Sequence, residues 1–497
     1  MIFAKFSAEQ EVILTFSKAL YIFLMAQENN SNMEEKINSI FGLQQKHKLE
    51  LMKPDAKLRI SKLKLLKRAL VDSEEEIYLA LQTDLRKNRF ETAVTELFFT
   101  YAEIDHAIKN LASWMKPKSV NKTWSNLFAT NRIYYEPKGV CLIIAPWNYP
   151  LQLIMSPLIS AISAGNCAIV KPSELSAATS SVVNKIISAT FDIHEIACFE
   201  GDAELSSALL KLPFDHIFFT GSTEIGKLVM AAAAKNLSSV TLELGGKSPV
   251  IIDNTVNIKK AAEKISWGKL VNAGQTCIAP DYVLIDEQLE AEFIRHYKAA
   301  TQKMFYLNGE IDNSVYGKII NKKHFDRLSK LIKNAAEGGA TLEFGGEINE
   351  ENLTINPTIF TSVNLDNALM KEEIFGPVLP VLTYKDLQQA IDFVNAKDKP
   401  LALYIFSDRR ETQKKIIRET ASGGTCINDV LVHISNPNLP FGGVNSSGIG
   451  SCHGIFGFKN FSHEKAVFFQ SKFGMTKMIY PPYREKMGLL KWLKKLM

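Results

Sequence analysis

From Gly139 to Gly246 short apolar runs alternate with longer stretches of helical periodicity. Val140 to Ile144, Cys167 to Val170, Ile196 to Phe199, Ile217 to Thr220 and Val240 to Leu244 read as buried strands. Between them, Leu151 to Ala164, Ala177 to Thr190, Ala203 to Leu210 and Glu224 to Lys235 carry helical spacing. Strands apolar along their length, separated by helices, predict a parallel sheet covered on both faces. Ligands of such sheets bind at the carboxyl ends of the strands.

The alternation continues less regularly downstream. Strands are expected at Val250 to Ile252, Val283 to Ile285, Thr358 to Phe360, Val378 to Leu382 and Leu403 to Phe406, with helices over Ile258 to Val271 and after Leu289. This is a second α/β domain. Upstream, Leu97, Tyr101, Ile104, Ile108, Leu111 and Met115 mark a helix that Pro117 ends. Asn121 to Glu136 mixes aromatic and β-branched residues with polar ones and predicts a protruding two-stranded ribbon.

Composition narrows the class. A chain of 497 residues exceeds one ordinary core, so about two or three domains are expected. Its 46% hydrophobic and 22% charged residues are those of a soluble globular protein. A net charge of +5 over this length gives no reason to expect a nucleic-acid partner. Six scattered cysteines without metal-ligand spacing predict neither a disulfide framework nor a metal site, and suit a reducing, cytoplasmic setting. No run reaches the roughly eighteen apolar residues of a membrane span. The nearest, Ala19 to Ala26, follows Glu9 and Glu11 where a secretory leader would be basic, so residues 1–32 are read as an extension outside the fold.

Several strand ends carry chemistry. Cys277, in Gly274-Gln275-Thr276-Cys277, is a thiol able to attack a carbonyl carbon; Glu243, thirty-four residues upstream, is a carboxylate able to activate water. Asn148, in the proline-flanked Ala145-Pro146-Trp147-Asn148-Tyr149-Pro150, offers an amide donor for an oxyanion, although a turn asparagine is the commoner role. Phe218 to Gly226 is a strand, a glycine turn and a helix start: Gly221 permits the turn, Ser222 caps the helix, and the free N–H groups before Gly226 suit a pyrophosphate. Lys171 and Glu174 have the reach to embrace a ribose, and Glu174 would repel a 2′-phosphate, which favours NAD over NADP; an acidic first helical turn explains Glu174 equally well. Glu373-Ile374-Phe375-Gly376-Pro377 offers a carboxylate for a second ribose and a ring for a nicotinamide, though such a Phe is more often a packing residue. Asn438 to Gly454 is a glycine-rich rim in which His453 suits either function or packing.

Taken in order, PWNYP, KPSE, FTGSTEIG, ELGGKSP, GQTC, EEIFGP and LPFGGV resemble the aldehyde dehydrogenase superfamily from about Met33 to Ser462. INDV, SSGIGSCHG and FSH are similar to its class 3 branch, which includes fatty and aromatic aldehyde dehydrogenases; Asn445 and Cys452 are variants within the rim motif. The resemblance implies an α/β aldehyde dehydrogenase-like fold: a Rossmann-like NAD domain over 33–116 and 139–246, an α/β catalytic domain over 247–445, and a β-ribbon oligomerisation arm and tail over 117–138 and 446–497. It implies Cys277 as nucleophile, Glu243 as base, and Asn148 with the Cys277 N–H as oxyanion site. It further implies Lys171 and Glu174 at the adenine ribose, Ser222 at the pyrophosphate and Glu373 at the nicotinamide ribose. The expected reaction is NAD- or NADP-dependent oxidation of an aldehyde to a carboxylic acid by a homodimer. A CoA-acylating enzyme or a non-catalytic binding protein of the same fold are the alternatives. At the end of the chain, Leu489, Trp492, Leu493 and Leu496 share a helical face opposite Lys491, Lys494 and Lys495, suited to docking over a substrate tunnel or to weak contact with an anionic membrane.

Overall fold

The computed structural model describes residues 33–123, 126–473, 476–477, 480–488, 490 and 494. Residues 1–32 and the tail positions Leu489, Lys491, Trp492, Leu493, Lys495 and Leu496 lie outside the described residues.

Five parallel strands, Val140–Ile144, Cys167–Lys171, Ile196–Cys198, His216–Thr220 and Ser239–Glu243, form the first sheet. In space they run third, second, first, fourth, fifth, and Gly448–Ile449 adds an antiparallel edge beside Ser239–Glu243. Alternate residues of Val140–Ile144 feed two different cores, Cys141 and Ile143 into one and Val140, Leu142 and Ile144 into the other. That explains why the strand is apolar at every position rather than at every second one. The order reverses between the first and fourth strands, and the crevice at their carboxyl ends is where such sheets bind ligands. The chain leaves those two ends as Ala145 to Pro150 and as Gly221-Ser222.

Helix Gln152–Ala164 is buried along its whole length, and Gly165 ends it in the left-handed region at φ 86°. The Arg59 guanidinium fills the place a Cβ at Gly165 would need and donates to the Ser163 carbonyl at 3.1 Å. Helix Thr223–Ala234 starts on Ser222, whose Oγ accepts from the Ile225 N–H at 3.4 Å.

The second sheet has seven strands in the order Thr341–Phe344, Thr358–Thr361, Val378–Tyr384, Tyr282–Asp286, Pro249–Ile252, Ala402–Phe406 and Gly424–Ile427. Thr341–Phe344 is antiparallel to its neighbour and every other pair is parallel. The two edge strands are the ones the apolar pattern missed, because both are largely solvent-facing.

The predicted two-stranded ribbon needs correcting. Lys118–Ser119 pairs with Thr130–Pro137, and a third, equally long strand, Ser462–Phe469, pairs along its full length from Pro137↔Ser462 to Thr130↔Phe469. Lys465 and Glu136, which bridge across the arm at 2.8 Å, are 329 positions apart, so no local pattern could announce the pairing. The short register of Lys118–Ser119 leaves 121–123 and 126–129 outside the sheet.

Candidate active site

Cys277 lies between helix Ile258–Leu270 and strand Tyr282–Asp286. The chain approaches it through a left-handed turn: Asn272 at φ 53°, Ala273 at 52° and Gly274 at 75°. A Cβ on Gly274 would sit 2.4 Å from the Gly376 carbonyl oxygen, so glycine is needed there for space as well as conformation. Left-handed Asn272 and Ala273 cost on the order of 1–3 kcal/mol each, and a dense set of hydrogen bonds holds them. The Asn272 N–H donates to Glu91 Oε1 at 2.9 Å, and its amide donates to the carbonyls of Asn148 and Gln275 at 2.8 and 3.1 Å. Gln275 is buried and saturated: Nε2 donates to the Asn272 and Lys318 carbonyls, and Oε1 accepts from the Ile320 N–H. Burial pushes the Cys277 thiol up, and nearby Glu373 and Glu243 push it further; the N–H groups of Cys277 and Ile278 pull the other way.

Asn148 is buried at the end of the first strand. Its Nδ2 donates to the Gln275 carbonyl at 3.0 Å. Among the described residues the other amide hydrogen has no partner, and so is available to a ligand oxygen. A buried ion pair fixes this loop. Lys87 Nζ lies 2.7 Å from Glu96 Oε1, donates to the Asn148 carbonyl at 3.2 Å and stands 4.1 Å over the Tyr149 ring. Glu96 Oε2 accepts from the Leu151 and Gln152 N–H groups, closing the start of the next helix. Tyr149 in turn bonds Thr276 Oγ1 at 2.8 Å, beside Cys277.

Glu243 is buried at the end of strand Ser239–Glu243, and burial raises its pKa. Its Oε1 has no hydrogen-bond partner among the described residues. Glu373 is pushed up to about 8 by burial and by Asp281. Its carboxyl lies against Gly245, where a Cβ would come within 2.2 Å of Oε2. The loop carrying Glu373 is braced by Arg327, which donates to the Glu373 and Ile374 carbonyls at 3.3 and 2.6 Å. Lys247 pairs with Asp281, and Asp281 accepts from the Ile374 N–H at 2.9 Å, so the loops after Glu243, Cys277 and Glu372 are one braced unit. Phe375, at φ 49°, packs edge-on against Trp147 with ring centres 5.4 Å apart.

Asn148, Gly221, Ser222, Glu243, Cys277, Glu373 and Phe375 line one cavity of about 890 Å³ at the sheet's crevice. Lys171, Glu174 and Gly226 are not in its lining. Lys171 Nζ and Glu174 Oε2 pair at 2.7 Å at the end of the neighbouring strand. Gly226 is there for packing: a Cβ would come within 2.7 Å of Leu244. The sequence reading missed Lys87, Glu96, Glu91 and Asn272, which hold the site from behind, and Lys247, His324 and Arg327, which line it. Each stands outside a recognisable motif or, like Lys247 in ELGGKSP, only flanks the residue that carries the chemistry.

The chain belongs to the aldehyde dehydrogenase family, whose model matches residues 27–467. Its relatives include members of family 3, so it is an oxidoreductase of the family 3-like branch. It is 46% identical over 440 residues to the putative aldehyde dehydrogenase AldX of Bacillus subtilis (strain 168), covering 88% of this chain and 99% of that one. It is also 46% identical over 438 residues to the 4,4'-diaponeurosporen-aldehyde dehydrogenase of Staphylococcus aureus (strain NCTC 8325 / PS 47), covering 88% and 94%. The structure is similar to the substrate-bound state of Staphylococcus aureus AldH, with a TM-score of 0.88 at 43% identity over 92% of this chain and 99% of that one.

Proposed function

We propose that the protein oxidises medium- or long-chain aliphatic, or aromatic, aldehydes to carboxylic acids with NAD as acceptor. The observation that carries this is the sharing of one cavity by a thiol, an amide donor, a carboxylate oxygen without a partner among the described residues, and a serine-capped helix start.

The residues fit the cofactor. The Ser222 turn presents the amino end of a twelve-residue helix, which favours a diphosphate. A Cβ on Gly221 would strike the Phe219 ring at 2.5 Å, so the turn stays narrow and bare. Lys171 and Glu174 would hold the adenine ribose, Glu373 the second ribose, and Phe375 would face the ring. NAD, when bound, supplies the acceptor for a hydride.

In this reading the Cys277 thiol loses its proton to bulk water reached through the cavity, and its sulfur bonds to the aldehyde carbon. The carbonyl oxygen becomes an oxyanion that accepts from the free Asn148 N–H and from the Cys277 N–H. Collapse of the oxyanion expels the hydride and leaves a thioester on Cys277. Glu243 then takes a proton from water, the water oxygen bonds to the acyl carbon, the carbon–sulfur bond breaks, and the proton on Glu243 passes to the departing sulfur, which restores both the thiol and the carboxylate. A water-activating carboxylate favours hydrolysis over transfer of the acyl group to CoA.

The proposal includes the domain division stated above, a cytoplasmic setting and a homodimer joined through the arm. It also includes a weak contact of the C-terminal tail with an anionic membrane surface. The experiment is a panel of short, long and aromatic aldehydes with NAD or NADP, with and without CoA. NAD(P)H together with free acid supports the reading; acyl-CoA as product, or no reduction with any aldehyde, rejects it.

A further inference from the structure

Asn272 ties the Asn148 loop to the turn that carries Cys277. It is buried, and its backbone is left-handed at φ 53°. Asparagine adopts that conformation more readily than most residues, which by itself would account for its presence. Its side chain goes further. Nδ2 donates one hydrogen to the Asn148 carbonyl at 2.8 Å and the other to the Gln275 carbonyl at 3.1 Å. The Gln275 carbonyl also accepts from the Asn148 side chain at 3.0 Å. These bonds close a ring in which Asn148 is held at both ends, its carbonyl by Asn272 and its side chain by Gln275. Turning the Asn272 amide over would set Oδ1 against two carbonyl oxygens, and Oδ1 has no partner among the described residues, so the donors are the end the turn uses. The ring is anchored from outside. The Asn272 N–H donates to Glu91 Oε1 at 2.9 Å, and the Asn272 carbonyl accepts from the Gln275 N–H at 3.0 Å and from Gln275 Nε2 at 3.1 Å.

We propose that Asn272 is a positioning residue for Asn148: it holds the Asn148 carbonyl and the Gln275 carbonyl together, and so aims the remaining Asn148 N–H at the oxygen of an aldehyde bound to Cys277. The inference rests on Asn148 being the oxyanion donor of the proposed reaction. The two hydrogens of an amide nitrogen lie in one plane at a fixed angle, so a bond made by one sets the direction of the other. The Gln275 carbonyl takes the first Asn148 hydrogen, and Asn272 fixes where that carbonyl stands. Lys87 reaches the Asn148 carbonyl at 3.2 Å, whereas Asn272 bonds both carbonyls of the ring. A donor displaced by about 1 Å can cost on the order of 10²-fold in rate. The asparagine is therefore kept for its two donors as well as for its backbone.

The test is a double-variant cycle on the rate of the first turnover with NAD and hexanal, read as the burst of NADH that reports thiol attack and hydride transfer. Asn272→Gly keeps the left-handed backbone and removes the amide. Asn272→Asp keeps the shape and turns acceptors towards the two carbonyls. Both should slow the burst by about 10- to 100-fold, while the affinity for NAD, measured by calorimetry, stays within about twofold. Asn148→Ala should slow the same step. In that background Asn272→Gly should slow it by less than about threefold more, because the group it aims is gone. An unchanged burst in Asn272→Gly, or an effect as large in the Asn148→Ala background as alone, overturns the proposal. So does a loss of NAD affinity that matches the loss of rate, which would mark a general structural role. Asn148→Ala separates the two levels. If it slows the burst while Asn272→Gly does not, only the role of Asn272 is lost. If it leaves the burst unchanged, the oxyanion assignment and the role of Asn272 fall together.

Discussion

The Asn148 side-chain amide donates to the Gln275 carbonyl oxygen at 3.0 Å, tying the end of the first sheet to the loop two residues before Cys277. The bond fixes the proposed oxyanion donor relative to the proposed nucleophile before any substrate arrives, which is the preorganisation that electrostatic catalysis requires. Behind it stand Lys87 and Glu96, fully buried and 2.7 Å apart.

That pair yields the first prediction. Lys87→Met leaves the Glu96 carboxylate buried without its cation, which costs about 3–5 kcal/mol. Urea denaturation should show that loss, and kcat/KM should fall by at least about tenfold as Asn148 loses its brace. Adding Glu96→Gln removes the stranded charge and keeps the acceptor for Leu151 and Gln152. The double variant should therefore recover most of the stability but not the rate. Recovery of both would show that the pair stabilises the fold without positioning Asn148.

A second prediction concerns cofactor choice. Glu174 is exposed and holds the Lys171 ammonium at 2.7 Å. Glu174→Gln removes a carboxylate that would repel a 2′-phosphate and frees a cation that would attract one. The ratio of kcat/KM for NAD to that for NADP should fall. An unchanged ratio would mean that neither residue faces that hydroxyl.

The third follows from the Glu103–His453 pair. Burial alone would raise Glu103 and lower His453, yet their mutual attraction wins: the carboxyl is held below its ordinary 4.5 and the imidazole above its ordinary 6.5. A raised histidine contributes stability that is complete below 6.5 and is lost as pH rises through its folded value. A lowered carboxylate contributes above 4.5 and is lost as pH falls through its folded value. The pair therefore stabilises most between about 4.5 and 6.5. The difference in Tm between the unaltered protein and His453→Gln should be largest near pH 6 and shrink towards pH 9. A difference independent of pH would show that His453 is neutral throughout.

Much of this was legible in the sequence, and the omissions have physical reasons. Val140–Ile144, Cys167–Lys171 and His216–Thr220 are buried at every position because both faces are covered, so their apolar runs stood out. Thr341–Phe344 and Gly424–Ile427 are exposed edges and did not. Cys277, Glu243 and Asn148 sit in short motifs, and the structure puts them on one cavity. Lys87 and Glu96 do their work only after chain segments far apart have packed, and an isolated lysine and glutamate look like solvated surface residues. Lys171 and Glu174 do pair, yet outside that cavity's lining. Ser462–Phe469 found its partner at a distance no local pattern reaches.

The most direct test of the account is to trap the acyl group. Glu243→Gln, mixed with NAD and hexanal, should release about one equivalent of NADH per active site and then slow by ~10²–10⁴-fold. Mass spectrometry of the stalled protein should place a hexanoyl group on the Cys277 peptide, and Cys277→Ala should give neither burst nor adduct while still binding NAD. An adduct on any other residue, or normal aldehyde oxidation by Cys277→Ala, would contradict the account.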